Sequence, residues 1–304
     1  MDVVDLFAGL GGNSEGARLA GCRVVWAANH WQLAVDFHAA NHPGVIHACQ
    51  DLHQTNWADV PSHDVQIASP ACTGHTPARG KDRPHHDAQR STAWAPVSCA
   101  EVHRSPFVVI ENVPEFLSWV LYPAWLDAMQ RLGYSVSPHF LDAADHGVPQ
   151  HRERVFLICS QSKNPIKLIL PKRPHVAVNT VIEWDRHKWS PINKPNRSKK
   201  TLLRIDAGRR EFGDRFVFPY YSSGSGLKGR SIYRPLGTLT TRDRWGIVDG
   251  DRMRMVQPTE ALSIMSFRPD YIIPKRKSDA MHLMGNAVPP DEMADILNAL
   301  KQAA

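Results

Sequence analysis

Four short segments of the chain hold residue types that could do chemistry. The sharpest is Ser69-Pro70-Ala71-Cys72-Thr73, where a cysteine opens a loop after an apolar run that ends at Ala68. A thiol at the carboxyl end of a strand is placed for nucleophilic work. Most free cysteines are small buried hydrophobes instead, and that reading fits Cys22, Cys49, Cys99 and Cys159. Cys72 differs in its polar neighbours Thr73, Gly74, His75, Thr76 and Arg79, because an electropositive, partly open site favours the thiolate. The second segment is Glu111-Asn112-Val113, after the run Phe107-Val108-Val109-Ile110. A carboxylate there lies at the edge of a core, where desolvation favours the protonated form and lets it donate a proton. A helix N-cap explains Asn112 as well but leaves Glu111 unexplained. The third is Gln150-His151-Arg152-Glu153-Arg154, leading into Val155 to Ile158. Strand alternation puts Arg152 and Arg154 on one face, an arrangement that suits a phosphate or a base carbonyl, or simply a charged surface. The fourth is Asp5-Leu6-Phe7-Ala8-Gly9-Leu10-Gly11-Gly12, between a strand and a helix. Its glycines let backbone pass close to a ligand, and the helix N-terminus offers N–H groups to an anion. By itself such a loop fits a dinucleotide, S-adenosylmethionine or a plain tight turn.

These segments need a scaffold, and the first 160 residues supply its pattern. Short β-branched runs (Val3-Val4, Val24-Val25, Val65-Gln66-Ile67, Phe107 to Ile110, Val155 to Ile158) alternate with helical stretches at Ser14 to Leu19, Gln32 to Ala40 and Pro114 to Leu132. Strand and helix in alternation predict an α/β fold, a doubly wound sheet with right-handed crossovers. Ligands of such sheets sit at the carboxyl ends of strands, where three of the four segments lie; the one at Gln150 to Arg154 enters a strand instead. Past Gln161 the pattern changes. Pro, Lys, Arg and Asn dominate to about Lys200, followed by the basic Lys199, Lys200, Arg204, Arg209 and Arg210 and the loop Ser222 to Gly226. The spacing predicts a catalytic domain of residues 1–160 plus 274–304, closed by a helix over Asp291 to Leu300, and a smaller domain of residues 161–273.

Composition narrows the function classes. The chain has 304 residues, of which 42% are hydrophobic, so it can build a core. Lys plus Arg exceeds Asp plus Glu by 36 to 30, a net charge of +6 that mildly favours an anionic partner. Five cysteines without a C-x-x-C pair exclude a secreted disulfide scaffold and a structural zinc site. No apolar run is long enough to span a membrane, and Met1-Asp2-Val3-Val4-Asp5 lacks the basic start of a signal peptide. The expected setting is a reducing, cytoplasmic compartment. His85-His86-Asp87 has no complementary ligand cluster, so no metal is expected there.

In this order and spacing the four segments resemble the DNA (cytosine-5) methyltransferase family. D-L-F-A-G-L-G-G is similar to its first cofactor motif, P-A-C to a variant of its P-C-Q nucleophile motif, and E-N-V and Q-H-R-E-R to its next two blocks. Arg234-Pro235-Leu236-Gly237-Thr238-Leu239-Thr240 and Gly285-Asn286-Ala287-Val288-Pro289-Pro290 resemble its last two. The likeness spans nearly the whole chain except about Lys163 to Tyr233, where the family keeps its target-recognition region.

The resemblance implies a Rossmann-like S-adenosylmethionine-dependent domain with a smaller target-recognition domain, acting on a cytosine flipped out of duplex DNA. It makes Cys72 the thiolate that adds to C6, Glu111 the group on N3 and the exocyclic amine, Arg154 the partner of O2 and Arg152 a support. Phe7 would lie on the adenine, and the backbone from Ala8 through Gly9, Leu10 and Gly11 to Gly12 would hold the methionine end. Asp51, with Leu52, would reach the adenine amine, while Asn286, Ala287 and Val288 would close the pocket. Cys72 to Arg90 would form a catalytic loop over the DNA, with Arg79, Lys81 and Arg90 near phosphates. Thr238, Arg242 and Arg244 would face the DNA, the arginines reading bases or holding phosphates. A monomer encoded by a bacterium or phage, either partnered by a cognate restriction endonuclease or acting as an orphan enzyme, completes the expectation. The rivals are a tRNA methyltransferase and a DNA-binding homologue without catalysis.

The sequence departs from the family pattern in three places. Ala71 and Thr73 flank the cysteine where Pro and Gln are usual; P-x-C motifs resemble those of a divergent phage and bacterial branch. Asn29-His30 stands where a Glu usually binds the ribose, which predicts weaker cofactor binding or a slightly different cofactor pose. Asn13 follows the glycines where an apolar residue is common, with no function expected of it.

Overall fold

The computed structural model describes residues 1–72, 74–75, 89–220 and 229–303. The chain forms two compact units: Met1–Asp142, Glu153–Pro171 and Ala287–Ala304 in one, Ala143–Arg152 and Lys172–Asn286 in the other.

The first unit is built on seven strands: β1 (Asp2–Leu6), β2 (Arg23–Asn29), β3 (Ile46–Cys49), β4 (Val65–Ala68), β5 (Phe107–Asn112), β6 (Ser135–Asp142) and β7 (Glu153–Ser160). Their order across the sheet is β3-β2-β1-β4-β5-β7-β6. The five strands from β3 to β5 run parallel, and β7 runs antiparallel to both β5 and β6. The chain winds from β1 outward through β2 and β3, then returns to β4 on the other side of β1. That reversal is a switch point, where neighbouring loops part and leave room for a ligand. Leu6 pairs with Ala68 across it, so the segments after β1 and β4 leave the sheet side by side.

Alternate residues of these strands feed two cores. Val4, Leu6, Ala68, Val108, Ile110, Val155 and Leu157 join one cluster; Val3, Val65, Ile67, Val109, Phe156 and Ile158 join the other. Burial on both faces explains why these strands read as unbroken apolar runs. The first cluster packs under α3 (Ala95–His103) and α4 (Tyr122–Arg131), with Trp125 fully buried. The second packs under α1 (Gly12–Leu19) and the closing helix α8 (Pro290–Ala303), through Ala17, Met293, Ile296, Leu297 and Leu300. A further helix, α2 (Gln32–Asn41), links β2 to β3. The helical stretch expected over Pro114 to Leu132 is two elements, a 3-10 turn at Pro114–Ser118 and then α4. Trp119 between them is extended, and Pro123 sits in the first turn of α4, where its missing N–H costs nothing.

The second unit carries β8 (Ser190–Pro191), β9 (Arg215–Pro219), β10 (Trp245–Asp249) and β11 (Arg252–Met255), in the antiparallel order β8-β11-β10-β9. The helix α5 (Lys199–Phe212) lies on it through Ile205 against Phe216 and Phe218. Gly208 allows that approach, since a Cβ there would stand 2.3 Å from the Phe216 ring. Two more helices, α6 (Pro258–Ile264) and α7 (Lys277–Asn286), complete the unit. Among the described residues, no helix is long and apolar enough to cross a membrane.

Candidate active site

The glycine loop leaves β1 in an uncommon conformation. Phe7 has φ +63°, with Gly9 at +55° and Gly11 at +99°. A bulky residue with positive φ is strained by about 1–3 kcal/mol, and such strain persists where the surroundings enforce it. Here Ala8 N–H donates to Ala28 O (2.9 Å) and Gly11 N–H to Ala8 O (2.8 Å), closing the turn against β2. A Cβ on Gly12 would stand 1.9 Å from the Val288 carbonyl oxygen, so only glycine fits where α1 begins. On the open side, a Cβ on Gly9 would meet nothing nearer than Phe7 O at 3.8 Å. The loop therefore offers backbone to a ligand on one side and is packed on the other. Asn29 ends β2 and its Oδ1 accepts from Trp31 N–H (3.0 Å), and Asp51 accepts from His53 N–H (3.0 Å). Both polar ends are thus oriented by local turns, while Leu52 drops into the core and His30 is exposed.

Under the loop lies Asp5, fully buried, accepting from Ser14 Oγ (2.7 Å) and Asn13 Nδ2 (3.1 Å). Burial pushes its carboxyl up to about 6, against those hydrogen bonds. Ser14 Oγ also faces His38 Nε2 at 3.0 Å, and His38 Nδ1 faces His47 Nε2 at 2.8 Å. Because the Ser14 proton goes to Asp5, His38 must donate from Nε2 and accept at Nδ1. Burial, with His42 and His47 nearby, holds His38 well below the usual histidine range, so it is neutral.

The stem of Cys72 follows β4. Ser69 N–H donates to Leu6 O (3.2 Å), and Asn13 Nδ2, beyond its bond to Asp5, donates to Ser69 Oγ (3.2 Å). Asn112, at the end of β5, donates to Pro70 O (3.1 Å). The half-buried Cys72 accepts at its carbonyl from His75 N–H (2.9 Å), and Arg90 Nη1 donates to Gly74 O (2.9 Å). A cleft of about 610 Å³ beside this stem is lined by His75, Arg90, Trp94 and Trp119. Next to Asn112 in β5 is Glu111, buried, with Arg154 Nε 3.0 Å from its Oε1. The register pairs Glu111 with Phe156 and Asn112 with Val155, which brings Arg154 alongside.

Arg152 is engaged elsewhere. β7 starts at Glu153, so the alternation expected to align Arg152 with Arg154 does not reach it. It is buried in the second unit, donating to Leu239 O (3.4 Å) and Gly285 O (3.2 Å). The same unit joins the neighbouring motifs: Gln150 Oε1 accepts from Leu239 N–H, His151 N–H donates to Leu236 O (2.7 Å) and Thr238 Oγ1 to His151 O (2.9 Å). Arg242 is exposed and Arg244 half-buried, its carbonyl accepting from Tyr220 N–H (2.7 Å). Lys277 pairs with Asp243 at 2.7 Å. Asn286 ends α7 exposed, whereas Ala287 and Val288 are buried in the first unit. Arg79 and Lys81, expected near phosphates, lie outside the described residues, as do Thr73 and His85-His86-Asp87.

Sequence reasoning gave no role to Asn13, which ties Asp5 beneath the glycine loop to the cysteine stem. A polar residue where the pattern favours an apolar one was the available signal.

A doubly wound sheet with a strained glycine loop after β1, a thiol stem after β4 and a carboxylate–guanidinium pair joining the end of β5 to the start of β7 defines a class: α/β enzymes whose site lies at the carboxyl ends of the central strands. The chain belongs to the C-5 cytosine-specific DNA methylase family, whose model matches residues 1–302. It is 25% identical to the Type II methyltransferase M.MspI of Moraxella sp over 291 residues, covering 94% of this chain and 66% of that protein. It is 26% identical to M.NlaX of Neisseria lactamica over 99% of this chain and 96% of that one. M.HhaI of Haemophilus parahaemolyticus is 26% identical over 94% of this chain and 89% of its own. Among solved structures, a chain described as a DNA modification methyltransferase encoded within an E. coli prophage superposes with TM-score 0.74 at 19% identity, covering 99% of each chain. Spodoptera frugiperda DNMT2 superposes equally well, 0.74 at 16% identity over 99% of each. At these identities the superpositions speak to fold alone.

Proposed function

We propose that the chain transfers a methyl group from S-adenosylmethionine to C5 of a cytosine flipped out of duplex DNA, through a covalent bond to Cys72. The observation that carries this reading is the convergence on one sheet edge of the Cys72 stem, the Phe7–Gly12 loop and the Glu111–Arg154 pair. The cofactor fits the loop: the open side of Gly9 admits a ligand against backbone, Phe7 offers a ring for the adenine, and Asn29 and Asp51 offer hydrogen-bonding groups to ribose and amine. When bound, it supplies an electrophilic methyl group. Cytosine C5 is a weak nucleophile, and this chain's residues change that. Cys72 sulfur adds to C6, pushing electron density to C5. Glu111 holds N3 and the exocyclic amine, and Arg154, fixed against Glu111, holds O2; both favour the charge that addition creates. Once C5 carries the methyl group, with S-adenosylhomocysteine as the other product, a water molecule acting as base takes the C5 proton, the C5–H electrons restore the C5–C6 double bond and the Cys72 thiolate leaves. Arg152 braces the second unit's motifs, and Arg242 and Arg244 are assigned to DNA contact. A single chain in the cytoplasm is the acting form in this reading, and a cognate restriction endonuclease, its partner, would cut the unmethylated site.

The test is methyl transfer from labelled cofactor to duplex DNA and, separately, to tRNA. Label is expected in duplex DNA at cytosine C5, and Cys72→Ser is expected to abolish it. Label confined to tRNA would overturn the substrate, and full activity of Cys72→Ser would overturn the covalent route.

A further inference from the structure

The three residues before Cys72 are each held by a side chain from a different part of the first unit. Asn13 reaches Ser69 and Asn112 reaches Pro70, as described above. The third tie involves a residue no motif contains. Ala71 N–H donates to Thr92 Oγ1 at 3.0 Å, and Thr92 Oγ1 donates its own proton to Gln89 O at 2.7 Å. A hydroxyl has one proton and two lone pairs, so this one joins both stretches of chain: its lone pair takes the stem and its proton the returning segment. Two residues back, Arg90 makes the second tie, to Gly74. The backbone of Cys72 therefore runs between two clamps, at Ala71 and Gly74, both supplied by Gln89 to Thr92.

That segment is itself anchored. Thr92 opens a 3-10 turn, Thr92–Trp94, that leads directly into α3, and Ala93, Ala95, Val97, Cys99 and Ala100 are buried in the core. Trp125 Nε1 fixes the turn by donating to Ala93 O at 2.9 Å. The usual proline at position 71 has no N–H and a locked φ. Alanine brings a backbone donor that must be satisfied and a torsion free to turn. Thr92 answers both needs.

We propose that Thr92 is a positioning residue for the reaction, holding the Cys72 stem through Ala71 in place of a proline ring. This rests on Cys72 being the nucleophile. Thr92→Val keeps the shape, removes the hydroxyl and strands the Ala71 N–H. The displaced sulfur is expected to slow the chemical step roughly 10- to 100-fold. Binding of DNA and cofactor should stay within about twofold, since only the reacting geometry has changed. Thr92→Ser, which keeps the hydroxyl, should stay near wild type. In an Ala71→Pro background, where no N–H remains to be paired, Thr92→Val should cost less than about threefold.

The experiment uses the full chain, S-adenosylmethionine and a long duplex in which 5-fluorocytosine replaces cytosine. Fluorine stands where the proton must leave, so after sulfur has bonded to C6 and methyl to C5 the adduct persists and its rate of formation can be read on a denaturing gel. A slow Thr92→Val rescued by Ala71→Pro supports the proposal. Equal rates for Thr92→Val and wild type overturn it, and so does an equal loss in both backgrounds. Should Thr92→Val alone fail to fold, Ala71→Pro with and without Thr92→Val decides: matching rates support the proposal, and a slow double variant overturns it. An adduct formed by Cys72→Ser would instead defeat the underlying nucleophile assignment.

Discussion

At the scale of single residues, the Glu111–Arg154 pair is the most exposed to test. Side-chain exposures of 8% and 14% leave little water to replace a lost partner. Removing either leaves the other uncompensated, so loss of activity must be separated from loss of fold. Glu111→Gln keeps shape and hydrogen bonding but removes the charge. It is expected to lower the single-turnover rate by about 100-fold or more, and to lower thermal stability as well because Arg154 loses its counter-charge, so the rate is read at a temperature where the variant is fully folded. Unchanged turnover would remove Glu111 from the chemistry. Asp5 makes a different prediction. Its folded value of about 6 lies above the ordinary 3.8, so between those values the native state binds more protons than the unfolded one. Stability from this group is complete below about pH 3.8 and is lost as pH rises through 6, by roughly 3 kcal/mol in all. His38, held low by burial, acts in the opposite sense below the usual histidine range, when it must charge on unfolding. Comparison with Asp5→Asn cancels that contribution to first order. Denaturant unfolding from pH 4 to 7 should show wild type losing stability relative to Asp5→Asn; a flat difference would contradict the buried-acid assignment.

At the scale of elements, legibility followed burial. β1, β4, β5 and β7 could be read because both faces of each are buried, leaving continuous apolar runs. β6 could not: it is the sheet's edge, and Ser135, Ser137, Pro138 and His139 break any apolar pattern. α5 was hidden by its charge, since Lys199, Lys200, Arg204, Arg209 and Arg210 read as a basic stretch while only Thr201, Ile205 and Gly208 are buried. The site divided the same way. Cys72 and the glycine loop follow strands and Glu111 lies at the end of one, so position along the chain was enough to find them. Arg152 is buried on the carbonyls of Leu239 and Gly285, partners distant in sequence that strand alternation could not indicate. Asn13 and Thr92 act through hydrogen bonds to residues distant in sequence, Ser69 and Ala71, and no local pattern encodes such a bond.

At the scale of the whole molecule, the path of the chain couples elements that share no motif. The closing helix α8 belongs to the first unit and fills its core with Met293, Ile296, Leu297 and Leu300, yet it is reached only after residues 172–286 of the second. While the second unit is folded, that excursion is a fixed structure. Unfolded, it becomes a loop of about 115 residues whose closure costs α8 about 4 kcal/mol. Stability of the second unit should therefore be felt in α8. The buried Arg254–Glu260 pair, 2.7 Å apart and 3% and 0% exposed, offers a way to perturb that unit alone. Glu260 also accepts from Gln257 N–H (2.8 Å) and Glu183 N–H (2.9 Å), so Glu260→Ala strands a buried guanidinium and two amides at a cost of about 3–5 kcal/mol. Native-state hydrogen exchange should then show the slowest amides of β10 accelerating by roughly 100-fold or more, with those of α8 accelerating alongside them. Acceleration of β10 with α8 unchanged would mean that helix docking in the first unit is indifferent to the loop it closes, and the coupling through chain path would be refuted.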